Sequence, residues 1–112
     1  MSASSLNLKP YKAINIYFDA TASNEVFRTA FAPNAVVIDE KTQYVGISNI
    51  LKWRTDSRQQ YQYTSTPIHV SDKAETTVVE AIVEGNFPGS PVTLHYEFKI
   101  LNEQIVQLEI TV

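Results

Sequence analysis

The spacing of apolar residues changes from helical to alternating along the chain, which indicates helices in the first half and strands in the second. The first predicted helix has Asn7 as its N-cap. Its apolar side chains recur at three- and four-residue intervals, at Leu8, Tyr11, Ile14 and Phe18. The chain is therefore expected to begin with a helix that packs this side inward.

A second helix is predicted after a short break. Ser23 is its expected N-cap, and Glu25 lies in its first turn, where a negative charge suits the helix dipole. The helix is expected to end at Pro33 and Asn34. Its inward-facing residues are predicted to be Val26, Phe27, Ala30 and Phe31.

The pattern then changes to a short β-branched run, residues 35–38, which predicts a strand that ends near Asp39. A third helix is predicted next, with Ser48 as its cap and Ile47 just outside it. Residues 59–60 mark its expected end.

The remaining half is predicted to consist of strands. They cover residues 61–70, 76–84, 92–100 and 104–112, and the alternation of apolar and polar residues is clearest in the third. Pro67 predicts a bulge or an edge position for the first. Helices followed by a strand-rich half indicate an α+β fold.

Composition limits the class of protein. A chain of 112 residues with 44% hydrophobic and 19% charged residues is typical of one globular domain. We expect a flexible arm over residues 1–7 and a single domain over residues 8–112. The chain has no cysteine, no apolar run long enough to span a membrane and no signal-peptide pattern, so the cytoplasm is the expected location.

Charge disfavours two kinds of partner. The net charge is −3, and the basic residues are scattered apart from Lys52, Arg54 and Arg58. Nucleic acids and anionic membranes bind to concentrated basic surfaces. We therefore expect no nucleic-acid partner and no membrane partner.

Three segments carry a family resemblance: "FAPNAVVIDE", "YVGISNILKW" and "GNFPGSPVTLHYEFKI". In this order after two helices, they resemble the SnoaL-like branch of the nuclear transport factor 2-like superfamily, over residues 8–112. The resemblance implies a cone, in which a bent antiparallel sheet wraps around about three helices and a pocket opens between them. It also implies homodimers formed through the outer face of the sheet. The superfamily includes isomerases, cyclases, dehydratases, hydrolases and noncatalytic modules, so the fold alone does not determine the function.

Asp39 is the first candidate for a catalytic residue. Strand alternation places it on the same side as Val37, which would turn it toward the pocket. A carboxylate beside apolar walls becomes more basic and is suited to moving a proton next to a carbonyl. In the isomerase branch the general base lies at the end of the corresponding strand. The alternative is that Asp39 simply begins a solvated turn.

Tyr17 is the candidate donor to an enolate oxygen, because the isomerase branch carries a tyrosine on its first helix. The alternative is that Tyr17 is an ordinary core or interface aromatic. The isomerase also uses a neutral aspartic acid in its oxyanion hole. The resemblance places Leu94 there, and leucine has no hydrogen to donate, which argues against ordinary ketosteroid isomerase activity.

A further group of residues is predicted to bind the substrate. On the third helix, Trp53 would stack on a flat ligand and Arg54 would receive an acidic group, unless they are a core residue and a solvated residue. The strand residues Tyr63, Tyr96 and Phe98 would form pocket walls, with core packing as the alternative.

The chain lacks the patterns of several other sites. His69 and His95 are its only histidines, and their spacing does not suggest a metal site. No nucleophile elbow or phosphate loop occurs, and no cofactor is expected.

Two functions follow as hypotheses. In the first, the chain binds a small, flat, apolar carbonyl compound and acts as a cofactor-free isomerase or cyclase, with Asp39 as base and Tyr17 or Tyr96 as donor. In the second, it is a noncatalytic dimer that binds a ligand or another protein.

Overall fold

The structure, a computed structural model, describes residues 6–112. Its helices are α1 (Lys12–Tyr17), α2 (Asn24–Arg28) and α3 (Ile47–Gln60). None of these helices, within the described residues, is long and apolar enough to cross a membrane. The arm predicted for residues 1–7 lies outside the described residues except at its end, where Leu6 packs against the core.

One six-stranded sheet forms the rest of the fold. In chain order its strands are β1 (Phe31–Asp39), β2 (Thr42–Val45), β3 (Tyr63–Asp72), β4 (Thr77–Gly85), β5 (Val92–Leu101) and β6 (Gln104–Thr111). Across the sheet they lie in the order β2-β1-β6-β5-β4-β3. β1 and β6 run parallel, whereas the other neighbouring strands are antiparallel. The sheet is therefore mixed, and the expectation of a wholly antiparallel sheet is wrong.

The inner face of the sheet meets the helices in one core. In β5, Tyr96 and Phe98 are buried while Glu97 between them is exposed, as the alternation predicts. The same face carries the buried residues Val37, Val79, Ala81, Val83, Leu108 and Ile110 of the other strands. The helices add Ala13, Ile14, Phe27 and Ile50 to this cluster. The predicted α+β class is confirmed.

The first helix is shorter than predicted. Asn7 does not cap α1, because its side-chain oxygen instead accepts a 3.0 Å hydrogen bond from the Lys9 backbone N–H. The chain turns over the next residues, and α1 begins only at Lys12, without a side-chain cap.

The second helix begins as predicted and ends early. The Ser23 hydroxyl accepts a hydrogen bond from the Val26 backbone N–H at 3.2 Å and caps α2. The predicted stop at Pro33–Asn34 is wrong, because Phe31 already pairs with Ile105 of β6. Sheet pairing here outweighs the local helical pattern.

The third helix ends at Gln60 as predicted but starts differently. Its cap position is Gly46, and Ile47 lies inside the helix, so Ser48 is not the cap. Gly46 has a φ of 87° and donates its N–H to the Ala35 carbonyl at 2.8 Å. Glycine adopts this φ without strain, which lets the chain leave β2 and enter the helix directly.

Two tight hairpin turns delimit the strands. Glu40 and Lys41 join β1 to β2 with φ values of 51° and 67°, and Asn102 and Glu103 join β5 to β6 with values of 52° and 65°. Two-residue turns with positive φ match the twist of antiparallel strands. The first turn begins directly after Asp39 and thus fixes the end of β1.

β3 is an edge strand, as Pro67 predicts. Its pairing with β4 shifts register between Pro67 and His69. At the other end of the same pair, Tyr63 lies opposite Gly85, where the two backbones approach closely.

We expect Gly85→Ala to lower the free energy of unfolding by about 2–3 kcal/mol, because the new methyl group overpacks this contact. Its Cβ would overlap the Gln62 carbonyl oxygen and lie 2.7 Å from the Tyr63 Cα and Cβ. Gly89→Ala is the matched control, since a Cβ there meets open space and only the φ of 87° opposes it, at a cost of about 1 kcal/mol. Urea denaturation measures both. An equal or smaller loss for Gly85→Ala would contradict the expectation.

Candidate functional site

Asp39 points to the inner face of the sheet. It follows the buried Val37 by two residues, and in the sheet register it lies opposite Ile110, which in turn lies opposite Tyr96. The carboxyl group and the phenol therefore belong to one row of side chains on the same face.

The Asp39 carboxylate is half-buried and has one side-chain hydrogen-bond partner among residues 6–112. Trp53 of α3 donates its indole N–H to Asp39 Oδ2 at 3.1 Å. Burial raises the pKa of Asp39, the Trp53 hydrogen bond opposes that shift, and the neighbouring Glu40 adds to it. Trp53, which was predicted to stack on a ligand, thus also holds the candidate base.

Tyr17, the last residue of α1, lies in an aromatic cluster. Its ring centre is 4.9–6.4 Å from those of Phe18, Phe27, Phe31, Tyr96 and Phe98. Burial raises the pKa of Tyr17 well above its usual value, and the nearby Tyr96, Tyr63 and Asp39 raise it further while Arg54 lowers it. The phenol therefore keeps its proton at physiological pH and is able to donate it in a hydrogen bond.

Tyr96 is the second phenol on this face. Burial raises the pKa of Tyr96 to about 12, the Ser65 hydroxyl opposes the shift, and Tyr63 and Asp39 add to it. Ser65 was not predicted from the sequence, because it lies two strands away from Tyr96 and the sheet register does not place the two residues opposite each other.

The other predicted wall residues differ in exposure. Tyr63 is 38% exposed near the start of β3, whereas Phe98 is completely buried and belongs to the core. Trp53 packs against Tyr44, with ring centres 5.9 Å apart. Leu94 is half-buried on the same face as Tyr96, two residues away along β5.

Arg54 is buried rather than solvated. Its guanidinium donates to the Asn24 side-chain oxygen at 2.9 Å and to the Ala22 carbonyl at 2.8 Å, and its carbon lies 4.2 Å from the centre of the Phe27 ring. These contacts tie α3 to the segment between α1 and α2. The predicted role of Arg54 in receiving an acidic group stays a prediction.

Two surface clefts lie away from these residues. One, of about 370 Å³, lies between α2 and the start of β1, and is lined by residues that include Arg28, Phe31 and Gln104. The other, of about 620 Å³, lies where β4 begins and β5 ends. Neither is lined by Asp39, Tyr17 or Tyr96.

The histidines lie apart from the site. His95 faces Glu80 on the outer face of the sheet, with Nδ1 and Oε2 3.5 Å apart. Within the described part of the chain, no three His, Cys, Asp or Glu side chains are grouped so as to hold a metal ion.

The chain is similar to several solved structures. A proposed polyketide cyclase from Sinorhizobium meliloti has a TM-score of 0.84 and 38% identity, over 88% of this chain and 93% of that one. A proposed SnoaL-like polyketide cyclase from Jannaschia sp. CCS1 has a TM-score of 0.78 and 16% identity, over 99% of this chain and 90% of that one. A protein from Catenulispora acidiphila with a ketosteroid isomerase-like fold, in complex with trimethylamine, has a TM-score of 0.76 and 16% identity, over 90% of this chain and 85% of that one.

Neither a family model nor a curated protein matches the chain. The structural similarity confirms the cone fold that the family resemblance implies.

We expect Trp53→Phe to raise the pKa of Asp39, because the hydrogen bond that favours its charged form is lost while an aromatic ring remains. An NMR titration of the Asp39 carboxyl measures this directly. Tyr44→Phe is the control, since it keeps the ring beside Trp53 and leaves the indole N–H in place. An unchanged titration in Trp53→Phe would show that the indole does not stabilise the carboxylate.

Proposed function

This chain belongs to the SnoaL-like polyketide cyclase branch of the nuclear transport factor 2-like superfamily, and we propose that it binds a flat, largely apolar carbonyl compound and transfers a proton on it without a cofactor. The observation that carries the proposal is Asp39, whose inward-facing carboxylate has a raised pKa and shares its face with Tyr96. The relative with 38% identity is itself described as a proposed polyketide cyclase.

In the proposed reaction, Asp39 removes a proton from the carbon next to a carbonyl group, and the electron pair moves onto the carbonyl oxygen. Tyr17 or Tyr96 donates a hydrogen bond to the enolate oxygen that forms. In an isomerisation, Asp39 then returns the proton to a different carbon that is conjugated with the enolate. In a cyclisation, the α-carbon of the enolate instead attacks a second carbonyl carbon of the same molecule. The second route closes a ring and returns the proton from Asp39 to the new alkoxide.

The polar groups favour a cyclase or a related enolisation over the steroid reaction. Leu94 stands where the isomerase resemblance requires a neutral aspartic acid, so the proposed donor to the oxygen is a phenol, Tyr17 or Tyr96. Tyr17 makes no hydrogen bond to residues 6–112 and keeps its proton because of its raised pKa, which leaves it free to donate. Trp53 and Tyr63 would form the apolar walls around the ligand.

A noncatalytic role is the second candidate, and the clefts favour it. Both clefts described above lie away from Asp39, and the rings around Tyr17 fill much of the space beside it. In this case the chain binds a ligand or a protein without changing it.

The proposal includes a homodimer formed through the outer face of the sheet. Ile82 is 37% exposed there, beside the Glu80–His95 pair. We expect light scattering to give twice the chain mass, and Ile82→Lys to shift the equilibrium toward monomer because it buries a charge in the interface. Val26→Lys is the matched control, since Val26 is also exposed but lies on α2. A monomer at every concentration would contradict the dimer.

The catalytic proposal is tested with Asp39→Asn. A thermal-shift screen of flat ketones, phenols and polycyclic aromatics first identifies a ligand, and NMR in deuterated water then follows exchange of its α-hydrogens. We expect Asp39→Asn to slow this exchange by roughly a hundredfold or more, because the amide is not a general base. Asp56→Asn is the control, since this acid is exposed on α3, where it pairs with Lys52, and it is not among the groups that shift the pKa of Asp39.

The outcomes separate the two functions. Exchange that depends on Asp39 supports catalysis. A ligand that binds without exchange supports the noncatalytic role, and exchange that is equal in the wild-type protein and in Asp39→Asn would show that Asp39 is not the base.

A further inference from the structure

The two histidines of the chain lie in one row on the outer face of the sheet. In the strand register, His69 of β3 lies opposite Glu80 of β4, and Glu80 lies opposite His95 of β5. Directly opposite residues of antiparallel strands project to the same face. Val70 and Val79, the chain neighbours of His69 and Glu80, pack in the core, so the row itself faces outward. One carboxylate thus lies between two imidazoles that are distant in the sequence.

The row is accessible and its charge depends on pH. Nδ1 of His95 lies 3.5 Å from Oε2 of Glu80, and their side chains are 41% and 38% exposed. His69 is exposed on the edge strand β3. Imidazole is the side chain that ordinarily changes charge between about pH 5 and 8. Over that range the formal charge of the row therefore changes from negative to positive.

The rest of this face is mainly acidic on the strands beside the row. Glu80 is the charged residue that faces His69 across the sheet, because β3 has no second neighbour. Around His95, Glu97 lies two residues along β5, and Glu109 of β6 lies directly opposite Glu97. Like charges in opposite positions repel each other. The same alternation turns two more charged side chains outward, Glu84 and Lys99.

These charges oppose the contact of two copies when the histidines are neutral. A twofold dimer through the outer face brings that face against a copy of itself. On β3–β6 the face then carries four carboxylates and one ammonium group, so the two copies repel each other. Protonation of His69 and His95 cancels much of this excess and lets an imidazolium of one copy meet a carboxylate of the other.

We propose that the row His69–Glu80–His95 makes self-association through the outer face depend on pH, so that the dimer becomes stronger as the histidines gain protons. This inference rests on the homodimer that the proposed function includes, and it names what regulates that dimer. The sign follows from linkage, because lower pH favours the state that binds more protons. Glu80 offsets the cost of enclosing the two imidazolium groups at the interface.

The test is the dissociation constant of the dimer, measured by analytical ultracentrifugation between about pH 7.5 and about pH 5.5. Glutamate side chains ordinarily stay ionised over this range. We expect the dissociation constant to fall by about tenfold as the pH is lowered. The double variant His69→Gln and His95→Gln should retain a dimer and lose most of this dependence. Both positions lie on the outer face, away from the core.

Two further variants separate the charge of this face from the net charge of the protein, which is −3 with neutral histidines. Glu109→Gln removes one negative charge from the outer face, as protonation of one histidine does, so it should strengthen the dimer at about pH 7.5. Glu25→Gln changes the net charge equally but lies exposed on α2. It should leave the dissociation constant nearly unchanged. If the double histidine variant does not fold, this pair and the wild-type pH profile still decide the matter.

Several results would overturn the inference. A dissociation constant that is constant, or that rises as the pH falls, would contradict the proposed sign. A dependence that persists in the double variant would assign it to other groups, and equal effects of Glu109→Gln and Glu25→Gln would assign it to net charge. In these cases the dimer survives. A monomer at every pH and concentration would remove the dimer and this inference with it, whereas the reaction at Asp39 is tested separately.

Discussion

The alternation of side chains along β1 is the constraint on which the candidate site depends. Ala35 and Val37 are buried where the sheet meets its helices, and the pleat then turns Asp39 to the same side. A shift of one residue in register would put Asp39 on the outer face and bring Ile38 into the core. The core therefore orients the carboxyl group, and the turn that follows at once keeps it at the end of the strand.

The sequence predicted those features that depend on neighbouring residues. The cap at Ser23, the irregular edge strand at Pro67 and the alternation in β5 are local patterns, and the structure has all three. The length of α2 was not predictable in this way. The residues after it continue the helical pattern, but Phe31 pairs with β6, a strand far along the chain. The general α+β class was thus accessible from the sequence, and the limits of two helices were not.

The same distinction applies to the site. Strand parity was enough to turn Asp39 inward. The contact of Trp53 with Asp39 and the burial of Arg54 were not predictable, because each depends on how α3 packs against the sheet and the other helices. Ser65 carries no local signal, since its partner Tyr96 lies two strands away in the sheet. Aromatic rings surround these few polar groups, so each charge acts in surroundings of low polarity, where it has more effect than in water.

The parallel pairing of β1 with β6 has a consequence for biosynthesis. As the ribosome makes the chain, β1 and its partner β2 emerge early, whereas β6 is made after every other strand. Until then the long edge of β1 has no neighbour, although β3, β4 and β5 are able to pair with one another. Because the contact that completes the sheet is so distant in sequence, it forms late. Asp39 is thus made long before the row of side chains that joins it to Tyr96 is complete. Any activity begins only when β6 has paired with both β1 and β5.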